Sequence, residues 1–370
     1  MSDKLNLVLI FGGKSGEHEV SLMSARSVLN AIDQDKYSVY QVGISQEGRW
    51  TYSENTLAAF ESKQVESLNE VIILSRNEKA YLFSIVDGQL KEITAIDIIF
   101  PILHGTFGED GTIQGLFEIQ NCAYVGAGVL ASSVAMDKAL CKDVVANEGV
   151  PVLPYLVFTR KEIEANLAQI IEQVESLSAY PVFVKPANLG SSVGIRKAKD
   201  RAQLGEALEL AARFDRRILV ERGIEAREIE ISVIGNEFPE CSQPGEIVPG
   251  DEFYTYKDKY HSGDPEIAIP APLPSELSSQ LRDWAIRCFK AIDCAGLARV
   301  DFLLDKNTGE AWFNEINTMP GFTQISMYSK LLAHQGLEYK HLIDRLIELG
   351  LERKAEQERT IRKFEVDHGN

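Results

Sequence analysis

The chain opens on an apolar run, LNLVLIF (5–11), that reads as a β-strand. The next helix is expected to begin within Glu17–Val20, and SVYQVGI (38–44) reads as a second strand. Residues 45–95 are polar without a clear period and are expected to be surface excursions. AIDIIFPIL (95–103) reads as a buried strand and AYVGA (123–127) as another. This strand–helix–strand rhythm predicts a parallel sheet covered by helices. The first turn reads GGKSGE and not GxGxxG, which argues against a nicotinamide dinucleotide.

A second unit begins near Asp137, which is placed to N-cap the helix KALCKDVVANE, with Gly149 as its stop. Thr159 and Glu162 have the spacing of a capping box, and Ile163, Leu167, Ile170, Ile171, Val174 and Leu177 follow at helical spacing. PVFVKP (181–186) predicts a strand leading into a glycine-rich loop. Asp200 caps a helix running to about Phe214, and RILVER (217–222) predicts the next strand. A third unit begins near Glu228. It holds the strand EIEISVIG, an irregular loop over about 243–272, and a helix with Leu277, Leu281, Trp284, Ala285, Cys288, Phe289 and Ile292 on one face. A hairpin at Ala298–Asn317 and a helix near 338–355 complete the units, with a frayed charged tail after them.

Length and composition narrow this picture. A chain of 370 residues with 45% hydrophobic positions supports two or three domains with real cores. The net charge of −17 disfavours nucleic acid and anionic membranes as partners, and it demands a local lysine and arginine cluster for any anionic substrate. Five cysteines at 122, 141, 241, 288 and 294 are scattered and include no CxxC, so neither a disulfide framework nor a zinc site is expected. The N-terminal run reads as a strand and not as a signal peptide, and IIFPIL falls far short of a membrane span. A cytoplasmic protein is expected.

The chemistry concentrates in ARVDFLLDKNTGEAWFNEINTMPGFTQIS (298–326). Glu315 and Asn317 lie one residue apart on a strand and so share a face. If the two strand runs pair through a turn near Asn307–Gly309, Asp301 joins them. Three hard oxygen ligands without histidine or cysteine suit Mg²⁺ carrying phosphates, although solvated acids on an exposed hairpin have the same composition. Arg299 shares the face of Asp301 and could meet a developing oxyanion. The loop ANLGSSVGI lets backbone N–H groups approach phosphate oxygens, with Lys185 as counter-charge, or is a plain turn. Glu221 ends a strand where adenine could bind, and Glu228 could accept from a ribose. The loop DEFYTYKDKYHSGD is too aromatic for an inert linker and reads as a lid or an ordered surface loop. His104, in HGTFGEDG, and Glu17, in GKSGEHEVS, both follow apolar strands, where open α/β sheets deliver ligand contacts.

Taken together, GGKSGEHEVS, HGTFGEDG, MDK, FVKPANLGSSVG, a loop ending in KY, ARVD and NEINTMPGFTQIS resemble the D-alanine–D-alanine ligase family of the ATP-grasp superfamily, in this order and to about residue 350. The resemblance implies an α/β, three-domain ATP-grasp fold. Its parts would be a Rossmann-like N-terminal domain (1–137), a central subdomain with the glycine-rich phosphate loop (138–228), and a C-terminal subdomain with lid and metal site (229–370). It implies that Lys138, Lys185, Ser192 and Lys259 contact ATP phosphates, that Glu221, Arg222 and Ile224 hold adenine, and that Glu228 holds the ribose. Asp301, Glu315 and Asn317 would bind two Mg²⁺, with Mn²⁺ as a substitute. Glu17 would take the ammonium of the first D-alanine and, with Ser191 and Tyr260, close the lid. Arg299 and the Gly321 N–H would stabilise the oxyanion, Ser326 and Met327 would bind the second substrate, and His104 would support the substrate site. The implied activity is ATP-dependent joining of two D-alanines through an acyl phosphate for peptidoglycan precursors, by a homodimer. A D-alanine–D-lactate or D-alanine–D-serine ligase is the alternative. One departure is His18 after Glu17, where some relatives carry arginine.

Overall fold

The computed structural model describes residues 4–190, 193–248 and 266–361. Its first sheet has seven strands: β1 (Leu5–Gly12), β2 (Tyr37–Ile44), β3 (Trp50–Tyr52), β4 (Asn69–Arg76), β5 (Lys79–Val86), β6 (Gln89–Ala95) and β7 (Ile98–Ile102), in the order β6-β5-β4-β3-β2-β1-β7. β1 pairs in parallel with both β2 and β7. Helix α1 (His18–Ala31) starts inside the expected window. Alternate β1 residues serve two cores: Leu7, Leu9 and Phe11 face one, and Val8 and Ile10 the other.

Two expectations fail here. Residues 45–95 are not irregular: α2 (Thr56–Glu61) and strands β3 to β6 extend the sheet as an antiparallel meander. One face of these strands is solvated, so their apolar positions alternate with polar ones and the segment reads as polar. Its turns are two-residue hairpins at Asn77–Glu78 and Asp87–Gly88, all four residues at positive φ, which matches the twist of the flanking strands. The strand expected at 123–127 is reduced to an isolated bridge between Ile99 and Tyr124. Helices α3 (Thr112–Ile119) and α4 (Val129–Met136) flank it.

The central unit follows its local signals closely. Asp137 accepts from the N–H groups of Ala139 and Leu140 to open α5 (Lys138–Asn147). After β8 (Tyr155–Thr159), the reciprocal Thr159–Glu162 capping box opens α6 (Arg160–Leu177). β9 (Val182–Pro186), β10 (Arg196–Ala198), α7 (Arg201–Phe214, capped by Asp200) and β11 (Arg217–Arg222) complete a sheet ordered β10-β9-β11-β8.

The third sheet comprises β12 (Ala226–Gly235), β13 (Glu240–Cys241), β14 (Gly245–Val248), β15 (Glu266–Ala268), β16 (Gly296–Asp305) and β17 (Ala311–Asn317), in the order β15-β14-β12-β16-β17, with β13 on β12. Helix α8 (Ser275–Ala291) buries Leu281, Trp284, Ala285, Cys288 and Phe289 against it. Two helices end the described chain, α9 (Met327–His334) and α10 (Tyr339–Glu358).

Helix α10 does not pack solely within its own unit. Leu342, Ile343 and Leu346 enter the same core as Leu7, Leu9, Phe11 and Phe100. Lys36 and Tyr37 reach Asp344 at 2.7 and 3.0 Å, and the Arg353 guanidinium lies 4.0 Å over the Tyr124 ring. The end of the chain thus closes the first sheet and fixes the two outer units to each other. Leu346 is 0% exposed, so Leu346→Ala is expected to cost about 2–5 kcal/mol in urea unfolding. A loss below about 1 kcal/mol would mean that α10 is peripheral.

Candidate active site

The β16–β17 hairpin turns where the sequence expects, with Gly309 at positive φ. Its antiparallel register sets Asp301 opposite Glu315 and Arg299 opposite Asn317. A bulge then shifts the register, so that Phe302 faces Phe313 and Asn314 is the extra residue. Asn314 Oδ1 accepts from Lys185 at 3.4 Å. The bulge therefore brings into the site a residue that strand alternation alone would leave out.

Arg299 grips Asp301 with two hydrogen bonds, at 2.7 and 2.6 Å, and its Nε lies 3.0 Å from Glu230 of β12. Burial works against its charge, but Asp301 and Glu230 hold the guanidinium well above its ordinary range. Asn317 Nδ2 donates to Asp301 at 3.0 Å. Among the described residues no three His, Cys, Asp or Glu converge on a metal-sized point. The expected set is two carboxylates and one amide oxygen, and the register places all three side by side. Hard oxygens beside a cleft lined by lysines fit Mg²⁺, which needs few protein ligands.

The opposite wall comes from the central unit. Lys138, the first residue of α5, donates to the Leu189 carbonyl at 2.7 Å and lies 3.4 Å from Glu315. Lys185 leaves β9 beside it. Between the walls lies a cleft lined by Lys138, Lys185, Gly190, Glu228, Arg299, Asp301, Asn314 and Glu315 among others. The local cation cluster that an acidic chain requires is present.

Glu221 sits behind this wall, 1% exposed, with one oxygen 2.7 Å from Lys185 and the other 2.7 Å from Lys142. Against the cost of burial, the two ammonium groups hold its carboxyl below the usual range. The backbone N–H of Arg222 donates to the Pro154 carbonyl and that of Gly223 to the Pro181 carbonyl. Ile224 and Glu228 follow, both half-buried, with Glu228 in the cleft.

On the N-terminal side, Glu17 immediately precedes α1 and accepts its place from Ser15, whose hydroxyl receives the Glu17 N–H. Its carboxylate lies between two loops that each bring a glycine against it. A Cβ on Gly105 (φ +73°) would stand 2.6 Å from Glu17 Oε2, and one on Gly190 3.1 Å. This brings the HGTFGEDG loop and the glycine-rich loop to one carboxylate.

His104 is 4% exposed, and both ring nitrogens have protein partners: Nδ1 with the Met319 carbonyl at 3.0 Å and Nε2 with Ser24 at 3.1 Å. It anchors the loop that leads to Gly321. Ser326 precedes α9 and accepts from the Thr323 N–H at 3.0 Å, with Gly321 close beside it. The Met327 side chain packs into a small core with Ile247 and Leu331, so its backbone is the part left to meet a ligand. Ser191, Ser192, Lys259 and Tyr260 lie outside the described residues.

Burial opposes a charged His104, yet Glu109 at 3.8 Å raises its pKa above the ordinary value. Because the folded value is the higher one, the stabilisation is complete below about pH 6.5 and is lost as pH rises through the folded pKa. Urea unfolding between about pH 6 and about pH 9 should show stability declining more steeply in the native chain than in His104→Gln. Equal slopes would remove His104 from this account.

Sequence reasoning missed Lys142, Glu230, Glu109 and Asn314. Lys142 alone left a trace, a charge at helical spacing among the buried positions Ala139, Cys141 and Val145.

Sequence models of two families match: D-ala D-ala ligase N-terminus over residues 6–127 and D-ala D-ala ligase C-terminus over residues 144–348. The chain is 47% identical over 368 residues to the D-alanine–D-alanine ligase of Acetivibrio thermocellus, covering 95% of this chain and 97% of that one. It is 48% identical to that of Ruminiclostridium cellulolyticum, covering 96% and 98%. Among solved structures it is similar to the D-alanine–D-alanine ligase of Coxiella burnetii, with a TM-score of 0.83, 34% identity and 97% of each chain covered. It is also similar to the VanG D-Ala:D-Ser ligase of Enterococcus faecalis, with a TM-score of 0.82 and 33% identity over 94% of this chain and 100% of that one.

Proposed function

This chain belongs to the D-alanine–D-alanine ligase family, and from that premise we propose how its cleft joins two D-alanines at the expense of ATP. The single observation that carries the assignment of roles is the pairing of Asp301–Glu315 and Arg299–Asn317 across one hairpin, facing Lys138 and Lys185.

Lys138 and Lys185, with Ser192 and Lys259, bind the phosphates of ATP. Glu221 and the backbone at Arg222 and Ile224 serve the adenine side, and Glu228 accepts from the ribose. Asp301, Glu315 and Asn317 hold the divalent ions, two Mg²⁺ or Mn²⁺ in their place. When bound, the metal supplies positive charge that neutralises the phosphates.

Glu17 binds the ammonium of the first D-alanine, and the carboxylate of that D-alanine attacks the γ-phosphorus. The P–O bond to ADP breaks and an acyl phosphate forms. The protein's part in this step is alignment and charge neutralisation. The amine of the second D-alanine, held by its carboxylate at Ser326 and the Met327 backbone, then attacks the acyl carbon. Arg299 and the Gly321 N–H take the tetrahedral oxyanion, the C–O bond to phosphate breaks, and dipeptide and phosphate result. Ser191 and Tyr260, with Glu17, close the lid and keep water from the acyl phosphate. His104 holds the Met319 carbonyl and so orients the Gly321 loop.

The chain divides into units at 1–137, 138–228 and 229–370. A cytoplasmic homodimer completes the reading; no described helix is long and apolar enough to cross a membrane. D-Alanine is the second substrate, as in the curated relatives at 47–48% identity, while the D-Ala:D-Ser ligase stands at 33%. Incubation with Mg-ATP and D-alanine, alone and with equimolar D-serine or D-lactate, tests this by mass spectrometry. D-Alanyl-D-alanine should dominate in every mixture. A predominantly mixed product would move the second substrate.

A further inference from the structure

We infer that Lys142 is a positioning residue of the nucleotide site: it neutralises Glu221 from behind, so that the Lys185 ammonium keeps its charge for the phosphates of ATP. The inference rests on the nucleotide reading above.

Lys142 lies on α5 one turn after Lys138, so both point to one side of the helix. Lys138 reaches the cleft, whereas Lys142 is 1% exposed and lines no part of it. Its Nζ is 2.7 Å from Glu221 Oε1 and 3.2 Å from the Phe313 carbonyl, and 5.7 Å over the Phe313 ring. Glu221 turns its other oxygen to Lys185, and Lys185 also reaches Asn314, the residue after Phe313. One buried ammonium therefore joins α5, β11 of the central sheet and β17, the strand that carries Glu315 and Asn317.

A lysine so deeply buried needs a reason, because an apolar residue of the same length would avoid the desolvation cost. The charge arithmetic supplies one. With Lys142, one carboxylate faces two ammonium groups and the cluster is net positive. Without it, Glu221 has Lys185 as its only cation of the two, and that ion pair holds the Lys185 ammonium back from the phosphates. Other groups around Lys142 do not supply the missing charge. Burial pushes the Cys141 thiol up to about 12, and raises Cys288 of α8 and Tyr155 of β8 as well, so all three are neutral. Lys138 lies on the cleft side, against Leu189 and Glu315, and not against Glu221.

Calorimetric binding of ATP without D-alanine, together with steady-state kinetics, tests this in Lys142→Met, Lys142→Arg, Glu221→Gln and the Lys142→Met/Glu221→Gln double variant. Lys142→Met should weaken ATP about tenfold, or ~1.4 kcal/mol, and raise KM for ATP while kcat at saturating ATP stays within about twofold. Lys142→Arg keeps a charge and should recover most of the affinity. In the Glu221→Gln background, Lys142→Met should add less than about a twofold loss, because no anion remains to neutralise. A purely structural lysine predicts the same loss in both backgrounds. That result, or unchanged ATP binding in Lys142→Met, overturns the inference. If Lys142→Met does not fold, Lys142→Gln takes its place in both backgrounds. Failure of the unsubstituted chain to bind ATP would instead overturn the nucleotide reading.

Discussion

Arg299→Lys is expected to lower kcat at least about a hundredfold while leaving ATP affinity within about threefold, since loss of one oxyanion donor costs roughly 2.7–4 kcal/mol in the transition state. Lysine preserves the charge but not the planar fork that grips Asp301 at 2.7 and 2.6 Å while its Nε lies 3.0 Å from Glu230. The contrast with Arg299→Ala is instructive. Alanine would remove the buried cation that Asp301 and Glu230 share, so that variant should lose about 3–5 kcal/mol of stability as well as turnover. Urea unfolding and single-turnover kinetics on both variants separate the two effects. Near-native turnover in a folded Arg299→Lys chain would show that the arginine serves the fold alone.

Glu315→Gln is expected to reduce kcat about a thousandfold at ordinary Mg²⁺, because a bound metal contributes several kcal/mol of charge stabilisation and each 1.36 kcal/mol is tenfold in rate. Glutamine keeps the shape and removes the charge that would hold the ion. Glu315 is partly exposed and faces Lys138 at 3.4 Å, so the fold should survive the change. Phosphate release titrated with Mg²⁺ checks it. The variant should need far more metal for half-maximal rate. An unshifted titration would take Glu315 out of the metal site.

The parts of this molecule that a reader of the sequence could find are those whose causes are local. Asp137, Thr159 with Glu162, and Asp200 cap their helices through neighbours two or three residues away. The β16–β17 hairpin was legible because a short turn fixes its register, and register alone sets Asp301 opposite Glu315. The meander at 50–95 was lost because one solvated face dilutes the apolar signal, although Asp87–Gly88 is a hairpin turn by composition. The reach of α10 into the first sheet could not be read, since amphipathic periodicity says that a face is buried but not against what. The same limit hid Lys142, Glu230 and Asn314. Each matters through a partner far away in sequence, and in Asn314 the decisive event is a one-residue bulge. Family resemblance supplied proposed roles for the cleft residues. It did not extend to the buried groups that hold them.

The central claim is that this cleft activates D-alanine as an acyl phosphate. The most direct test uses D-alanine labelled with ¹⁸O in its carboxyl group, with Mg-ATP and unlabelled solvent water. Attack by the carboxylate oxygen on phosphorus, followed by displacement at the acyl carbon, must carry that oxygen into phosphate. The account predicts D-alanine-dependent phosphate bearing one ¹⁸O for each dipeptide formed. Phosphate released without label, or released at the same rate in the absence of D-alanine, would contradict it.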